Sequence, residues 1–172
     1  MNGSSANPVY SACRCDYGVT TQTLGSNMTA NPLTSQSATR RPRSLHEVAL
    51  WGEEFGDMDS FLREFLDEFY SAVTPADRAA MLDAAPPLGT EAHRNAYLAA
   101  VAEHLAWRYE LAVPSWTGQP SRFLKRAYFP CGLESLKATL LVESPTAFRR
   151  RLIFVGADPL YRPRKDVLGI GQ

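Results

Sequence analysis

The side chains with the clearest chemical potential lie near the end of the sequence, in the stretch ESPTAFRRRLIFVGADPLYRPRKD. Guanidinium groups bind carboxylates and phosphates through paired hydrogen bonds, and an ammonium group binds the same anions as a point charge. A cluster of such groups predicts a surface for a protein partner or for a nucleic acid. The candidate partner-binding residues, here called the basic set, are Arg149, Arg150, Arg151, Arg162, Arg164 and Lys165.

The three consecutive arginines of the basic set cannot all serve one surface. Neighbouring residues of a helix are about 100° apart, so three in a row span some 200°. Residues 44–112 carry 13 acidic and 4 basic side chains, whereas residues 113–172 carry 10 basic and 4 acidic ones. We therefore predict that at least one of the three meets the acidic helices, and that charge guides the docking of the last helix.

Two fragments are typical of metal sites, but both are incomplete. The sequence from His46 begins like the zinc-protease pattern H-E-x-x-H, yet Leu50 stands where the second histidine would be. Glu103 and His104 are adjacent on a predicted helix and point in different directions, and no Glu-x-x-His pair occurs. We interpret His104 as a helix-surface or hydrogen-bonding residue, and we expect no metal.

Patterns typical of nucleophilic catalysis or phosphate binding are missing from the sequence. Glu64 and Glu68 share a helix face and are interpreted as a solvated acidic stripe. Cys131, between a proline and a glycine, has no evident histidine base and is interpreted as a packing residue. With no glycine-rich phosphate loop and no G-x-S-x-G turn, the sequence predicts no enzyme activity and no cofactor.

Apolar residues at helical spacing predict an all-α fold, a compact bundle of about five to six helices. The strongest stripe, with Phe61, Phe65 and Phe69, is expected to form core. A connector containing Trp116 is expected to fold back onto the helices. The segment LIFV has β propensity, but it is short and continues the last helix, which favours helix. Predicted caps and stops are Ser44 with Gly56, Thr74 before Pro86, Thr90 for the longest helix, and Ser144 for a last helix running towards Phe154.

Composition divides the chain into three parts. Residues 1–43 are rich in Ser, Thr, Asn, Gly and Pro and are expected to form a disordered tail, because they bury too little apolar surface to offset the entropy of ordering. The helical domain is predicted over residues 44–164, and residues 165–172 are predicted to be a flexible end. Met28 opens a second candidate start, and we hypothesise that the natural start lies there and not at Met1.

Charge and hydropathy exclude several classes of protein. The formal net charge is zero, so the chain lacks the basic excess that is typical of nucleic-acid binders. No apolar run approaches the roughly 18 residues of a membrane span, and the start lacks the features of a secretory signal. The three cysteines give no disulfide framework. We expect a cytoplasmic protein with reduced thiols.

Several stretches of the sequence together resemble a known group of proteins. NAYLAAVAEHLAWRYEL, VPSW, RAYFPCGLESLKATLLVESPTAFRRRLIFV and DPLYRPR are similar to actinobacterial helical proteins, many of unknown function. Related domains sometimes follow a helix-turn-helix or accompany nucleotidyltransferase-type toxin genes. The resemblance covers about Leu45 to Arg164 and implies a regulatory or antitoxin-like module.

Two functions from different classes follow. The first is a non-enzymatic helical module that binds a protein partner through the basic set. The alternative is a DNA-associated transcriptional regulator that places the same arginines on phosphates. Salt distinguishes them, because nucleic-acid affinity falls steeply between about 50 and 200 mM salt whereas a partly apolar protein interface changes less.

Overall fold

The computed structural model describes residues 41–163, and within that range the fold is all-α, as predicted. An isolated parallel bridge joins Tyr128 to Ile153, and this range contains no strand. Short 3₁₀ turns lie at Ser115–Gly118, Pro120–Arg122 and Glu134–Leu136. The helices are α1 (Leu45–Phe55), α2 (Met58–Ser71), α3 (Pro75–Asp83), α4 (Ala92–Arg108), α5 (Lys137–Glu143) and α6 (Thr146–Arg149).

The caps predicted for α1 and α3 are confirmed. The Oγ of Ser44 accepts a hydrogen bond from the backbone N–H of Glu47 at 3.2 Å, and the Oγ1 of Thr74 accepts one from Asp77 at 3.0 Å. Gly56 ends α1 in the left-handed conformation, with φ of 74°, which glycine adopts without strain. These ends form as predicted because every partner lies within four residues in the sequence.

Helix α1 packs tightly against the start of α2 at a glycine. A Cβ added at Gly52 would lie 2.8 Å from the Cβ of Met58 and 2.9 Å from its Cα. Gly52 and Met58 are both buried. The contact therefore involves the backbone of α2, which cannot move away as a flexible side chain would.

Replacing Gly52 with alanine is expected to lower the free energy of unfolding by about 1–3 kcal/mol through overpacking. This loss should exceed the gain of up to about 1 kcal/mol that alanine brings to a helix interior. Gly118→Ala is the matched control, because nothing lies within 4 Å of its added Cβ. Urea unfolding followed by circular dichroism measures both variants, and a Gly52→Ala protein at least as stable as the parent would contradict the close packing.

Helix α4 lies at the centre of the bundle. It contacts α1, α3 and α6 and the 3₁₀ turns Ser115–Gly118 and Pro120–Arg122. Small side chains let these elements approach closely. The fully buried alanines of α4 are Ala96, Ala99, Ala100, Ala102 and Ala106.

The predicted start of α4 at Thr90 is wrong by one residue. Glu91 is the N-cap, in an extended conformation, and no side chain caps the helix. Its carboxylate instead contacts the Nε of Arg94 at 2.6 Å, one turn on. A negative charge beside the N-terminus of a helix is favourable, so Glu91 stabilises this end by charge where Thr90 was expected to do so by capping.

The prediction of a last helix running towards Phe154 is also wrong. Helix α6 is one turn long, and the chain reverses at Leu152, which has a positive φ of 59°. The predicted cap, Ser144, places its hydroxyl 2.6 Å from the carbonyl oxygen of Leu140 and 2.8 Å from that of Val155, and it accepts a hydrogen bond from the N–H of Val155 at 2.8 Å. Tertiary contacts thus hold the segment after α6 in an extended form.

The connector that contains Trp116 folds back onto the helices, as predicted. It contacts the end of α3 and the segment that follows α3. The Nε1 of Trp116 donates to the carbonyl of Leu82 at 3.1 Å, and Arg122 donates to the carbonyl of Pro86. From α1, the Nδ1 of His46 is 2.7 Å from the carbonyl of Ala85. The histidine of the incomplete zinc pattern therefore contacts backbone in this fold.

The two predicted terminal segments, residues 1–43 and 165–172, lie mostly outside the described residues. Of the predicted tail, only Arg41 to Arg43 are described: Arg41 forms an ion pair with Glu68 at 3.0 Å, and Pro42 is buried. Residues 1–40, with the candidate start at Met28, and residues 164–172 lie outside that range. Within residues 41–163, no helix has both the length and the apolar character that a membrane crossing requires.

Candidate functional site

Arg151 lies in the core of the domain, although the sequence placed it in the basic set. Its side chain has no exposed surface. The guanidinium donates to the carbonyls of Ala147 and Thr117, both at 2.8 Å, and contacts the Glu103 carboxylate at 2.6 Å. It also lies over the ring of Phe123, 4.8 Å from its centroid. Arg151 is therefore not available to a partner.

Glu103 is the acidic residue that meets the arginines, and it confirms the predicted pairing with the acidic half of the chain. This α4 carboxylate is buried and binds both Arg151 and Arg150. Burial lowers the pKa of Arg151 from its ordinary value, while the hydrogen bond and charge of Glu103 act in the opposite direction. Arginine stays charged under these conditions, so two cations share one carboxylate.

Arg150 joins this buried pair to the surface. Half of its side chain, 51%, is exposed, and its guanidinium lies over the ring of Trp107 at 6.0 Å from the centroid. Trp107 itself is 44% exposed. Because Glu103 holds one edge of Arg150, the other edge is presented to solvent in a restrained position.

The other members of the basic set differ in availability. Arg149 is exposed and makes no side-chain hydrogen bond or ion pair within residues 41–163. Arg162 is bound to Asp67 of α2 through two hydrogen bonds of 2.8 Å, which raises the pKa of Arg162. Arg164 and Lys165 lie outside the described residues. The structure thus leaves Arg149 and Arg150 as the exposed arginines of the predicted surface.

Trp107 was not predicted to lie at the surface, although its position relative to the apolar row of α4 indicates it. The apolar row of α4 contains Tyr97, Val101 and Leu105, and Tyr109 continues this row just past the end of the helix. Trp107 follows Leu105 by two residues, which is about 200° around the helix and hence on the opposite side. We give the name arginine–tryptophan patch to Trp107, to Arg150, which lies over its ring, and to Arg149, the exposed residue that precedes Arg150.

Arg122 is a second buried cation that the sequence did not indicate. Its side chain is buried against Trp116, 5.0 Å from the ring centroid, and one nitrogen donates to Pro86. Within residues 41–163 Arg122 forms no ion pair with a carboxylate, and burial lowers its pKa. Its role in this part of the chain is to fix the connector.

Residues of the catalytic and metal-binding fragments do not converge. No group of three or more His, Cys, Asp or Glu residues within positions 41–163 could hold a metal ion. His104 is half-buried, its ring centroid lies 5.9 Å from that of Phe148, and its Nε2 makes no hydrogen bond in the described part of the chain. Burial and the nearby Arg108 lower the pKa of His104.

A cleft of about 510 Å³ lies between the loop around Cys131, helix α5 and the segment after α6. We call it the apolar cleft. The rings of Tyr97 and Phe154 contribute to its lining together with Leu140 and Val155. Cys131, expected to be a packing residue, forms part of this wall.

A second cleft, of about 430 Å³, adjoins the first. We call it the tyrosine cleft because Tyr70, Tyr109 and Tyr161 line it, together with Arg108 and Arg162. The hydroxyl of Tyr70 donates to the carbonyl of Leu160 at 2.8 Å. Burial raises the pKa of Tyr70 to about 12, so this hydroxyl remains a donor at neutral pH.

Comparison with known proteins gives no relative from which a function could be transferred. No protein-family model, no curated protein and no solved structure matches this chain.

Proposed function

We propose that this protein is a non-enzymatic, cytoplasmic interaction module of the regulatory or antitoxin-like kind, and that it binds a protein partner through the arginine–tryptophan patch. The partner surface is acidic and partly apolar. The observation that carries the proposal is the placement of Arg150, which forms an ion pair with the buried Glu103 and lies over the exposed ring of Trp107.

The residue types of the patch favour a protein partner. Tryptophan and arginine are the side chains most enriched among residues that dominate binding energy at protein interfaces. A long arginine side chain normally loses considerable freedom on binding. Here Glu103 already restrains Arg150, so less entropy remains to be lost.

The acidic character of the partner follows from the charges of the patch. Arg149 has no partner in the described part of the chain, and Arg150 and Arg151 together place two cations against one carboxylate. The surface therefore carries excess positive charge at this point. An acidic partner would be attracted to it, and the exposed ring of Trp107 would cover apolar surface on that partner.

The test combines site-specific crosslinking with affinity measurements. A photoreactive phenylalanine analogue at position 107 in the natural host should crosslink a single protein species. The purified crosslinked protein is then titrated against the parent chain and against Trp107→Ala, Arg149→Ala and Arg150→Ala. We expect each substitution to weaken binding by about 1 kcal/mol or more, and Arg63→Ala, on exposed α2 surface, to leave affinity unchanged.

Two outcomes would overturn the proposal. Unchanged affinity in all three patch variants would place the interface elsewhere. Crosslinking to nucleic acid would replace the proposal with the DNA-associated regulator. In that case the salt dependence of the affinity for duplex DNA should flatten by about one unit for each arginine removed.

A further inference from the structure

The apolar cleft and the tyrosine cleft are two ends of one groove. They share Asp158 and Tyr161, which lie in the lining of both. The side chain of Tyr161 is 68% exposed, so this large ring stands between the clefts with most of its surface uncovered. Each cleft falls within the range of about 300–1,000 Å³ typical of small-molecule sites.

The two ends of the groove differ in chemistry. Asp158 is the single charged residue among the described ones that line the apolar cleft, whose other side chains are aromatic, aliphatic or small. The tyrosine cleft adds two guanidinium groups, Arg108 and Arg162. A ligand that fits both ends has an apolar body and a group that accepts hydrogen bonds from a cation.

The two guanidinium groups are not equally available. Arg162 binds Asp67 through two hydrogen bonds of 2.8 Å, which fully engages one edge of its guanidinium. Arg108 reaches Asp158 through one contact of 3.3 Å, longer than the roughly 2.7–2.9 Å of a strong charge-assisted bond. Both partners of this contact are about half exposed. Arg108 therefore keeps most of its donors for a second anion.

We propose that this groove binds a small carboxylic acid with an aromatic or aliphatic body. The body occupies the apolar cleft against Phe154 and Leu140, the ring of Tyr161 lies along it, and the carboxylate binds Arg108. The site is separate from the arginine–tryptophan patch, and it does not depend on the function proposed above.

Charge complementarity selects the acid over the other heads that such a body could carry. A neutral hydroxyl head can accept a hydrogen bond from Arg108, but that bond lacks the negative charge that makes a guanidinium–carboxylate bond roughly twice as strong. A cationic head would have to displace Arg108 from Asp158 and then lie beside it. A carboxylate gains a charge-assisted pair and needs only a small shift of Arg108 away from Asp158.

Three probes that share one body test the proposal: phenylbutyrate, phenylbutanol and phenylbutylamine. Each is titrated into the full-length protein by isothermal calorimetry at low ionic strength. We expect phenylbutyrate to bind about tenfold more tightly than the alcohol and more tightly than the amine, which is the effect of one charge-assisted hydrogen bond.

Variants assign the binding to the groove. Arg108→Gln should reduce phenylbutyrate affinity about tenfold and leave phenylbutanol affinity unchanged. Ala157→Phe adds a ring to an exposed position of the apolar cleft and should weaken both probes. Asp158→Asn removes the competing carboxylate and should strengthen phenylbutyrate binding several-fold. Arg149→Gln, an exposed arginine of the patch, is the matched control and should change nothing.

Each alternative result has a definite meaning. Equal affinity for the acid and the alcohol, or tighter binding of the amine, overturns the proposal, because the groove would then be a general apolar surface or an amine site at Asp158. Loss of phenylbutyrate binding in Arg149→Gln but not in Arg108→Gln overturns it as well, because the acid would then bind at the patch. Far-ultraviolet circular dichroism of every variant confirms that the fold is intact.

Discussion

Arg151→Ala is expected to destabilise the protein by about 3–5 kcal/mol. The substitution removes a fully buried guanidinium that contacts two backbone carbonyls and the Glu103 carboxylate. Glu103 would remain buried with one of its two cations gone, and the carbonyls of Thr117 and Ala147 would each lose a hydrogen bond. Removing one partner of a buried ion pair costs far more than removing an exposed charge.

Urea denaturation followed by circular dichroism compares the stability of Arg151→Ala with that of Arg149→Ala and Arg150→Ala. The free energy of unfolding of Arg149→Ala should differ from that of the parent by no more than about 0.5 kcal/mol, because this side chain is exposed and unpaired within residues 41–163. Arg150→Ala should lie between the two, because half of this side chain is exposed although its partner is buried. Arg151→Lys keeps the charge but cannot reach three acceptors in fork geometry, and it should also be destabilising. Three equal and small losses would refute the burial of Arg151.

Phe65→Ala is expected to cost about 3–5 kcal/mol. The ring is completely buried on α2 and lies 5.9 Å from the ring of Phe69, which is also buried. Alanine would leave a cavity that the helices around α2 can fill only in part. The midpoint of urea denaturation should fall sharply with little change in the slope of the transition.

Two other phenylalanines act as controls for Phe65. Phe55, at the end of α1, is 58% exposed, so Phe55→Ala should cost much less. Phe61, on the same helix as Phe65, is only partly buried and should give an intermediate loss. A well-folded Phe65→Ala protein that melts with the parent would mean that this face of α2 is not core.

The local structure of the chain was largely predictable from the sequence. The caps at Ser44 and Thr74 and the stop at Gly56 depend on side chains and backbone conformations within four residues. The stripe of Phe65 and Phe69 faces the core because 3.6-residue periodicity places both on one side of α2. Such features are fixed by chain geometry before any long-range contact forms.

Charge asymmetry was informative to a lesser degree. The acidic half and the basic half of the chain predicted contacts between them, and the pairs of Arg151 with Glu103 and of Arg162 with Asp67 confirm that prediction. The sequence could not say which of three consecutive arginines would be buried. Helical spacing shows only that they point in different directions.

The tertiary structure decided which arginine is buried, where the last helix ends and where the groove lies. Arg151 enters the core because carbonyls of Thr117 and Ala147, 34 and 4 residues away in sequence, converge on it with Glu103. The chain leaves α6 after one turn because Ser144 binds the backbone of Val155 and Ile153 pairs with Tyr128. Each of these features depends on groups that only the folded chain brings together, and local sequence carries no record of them.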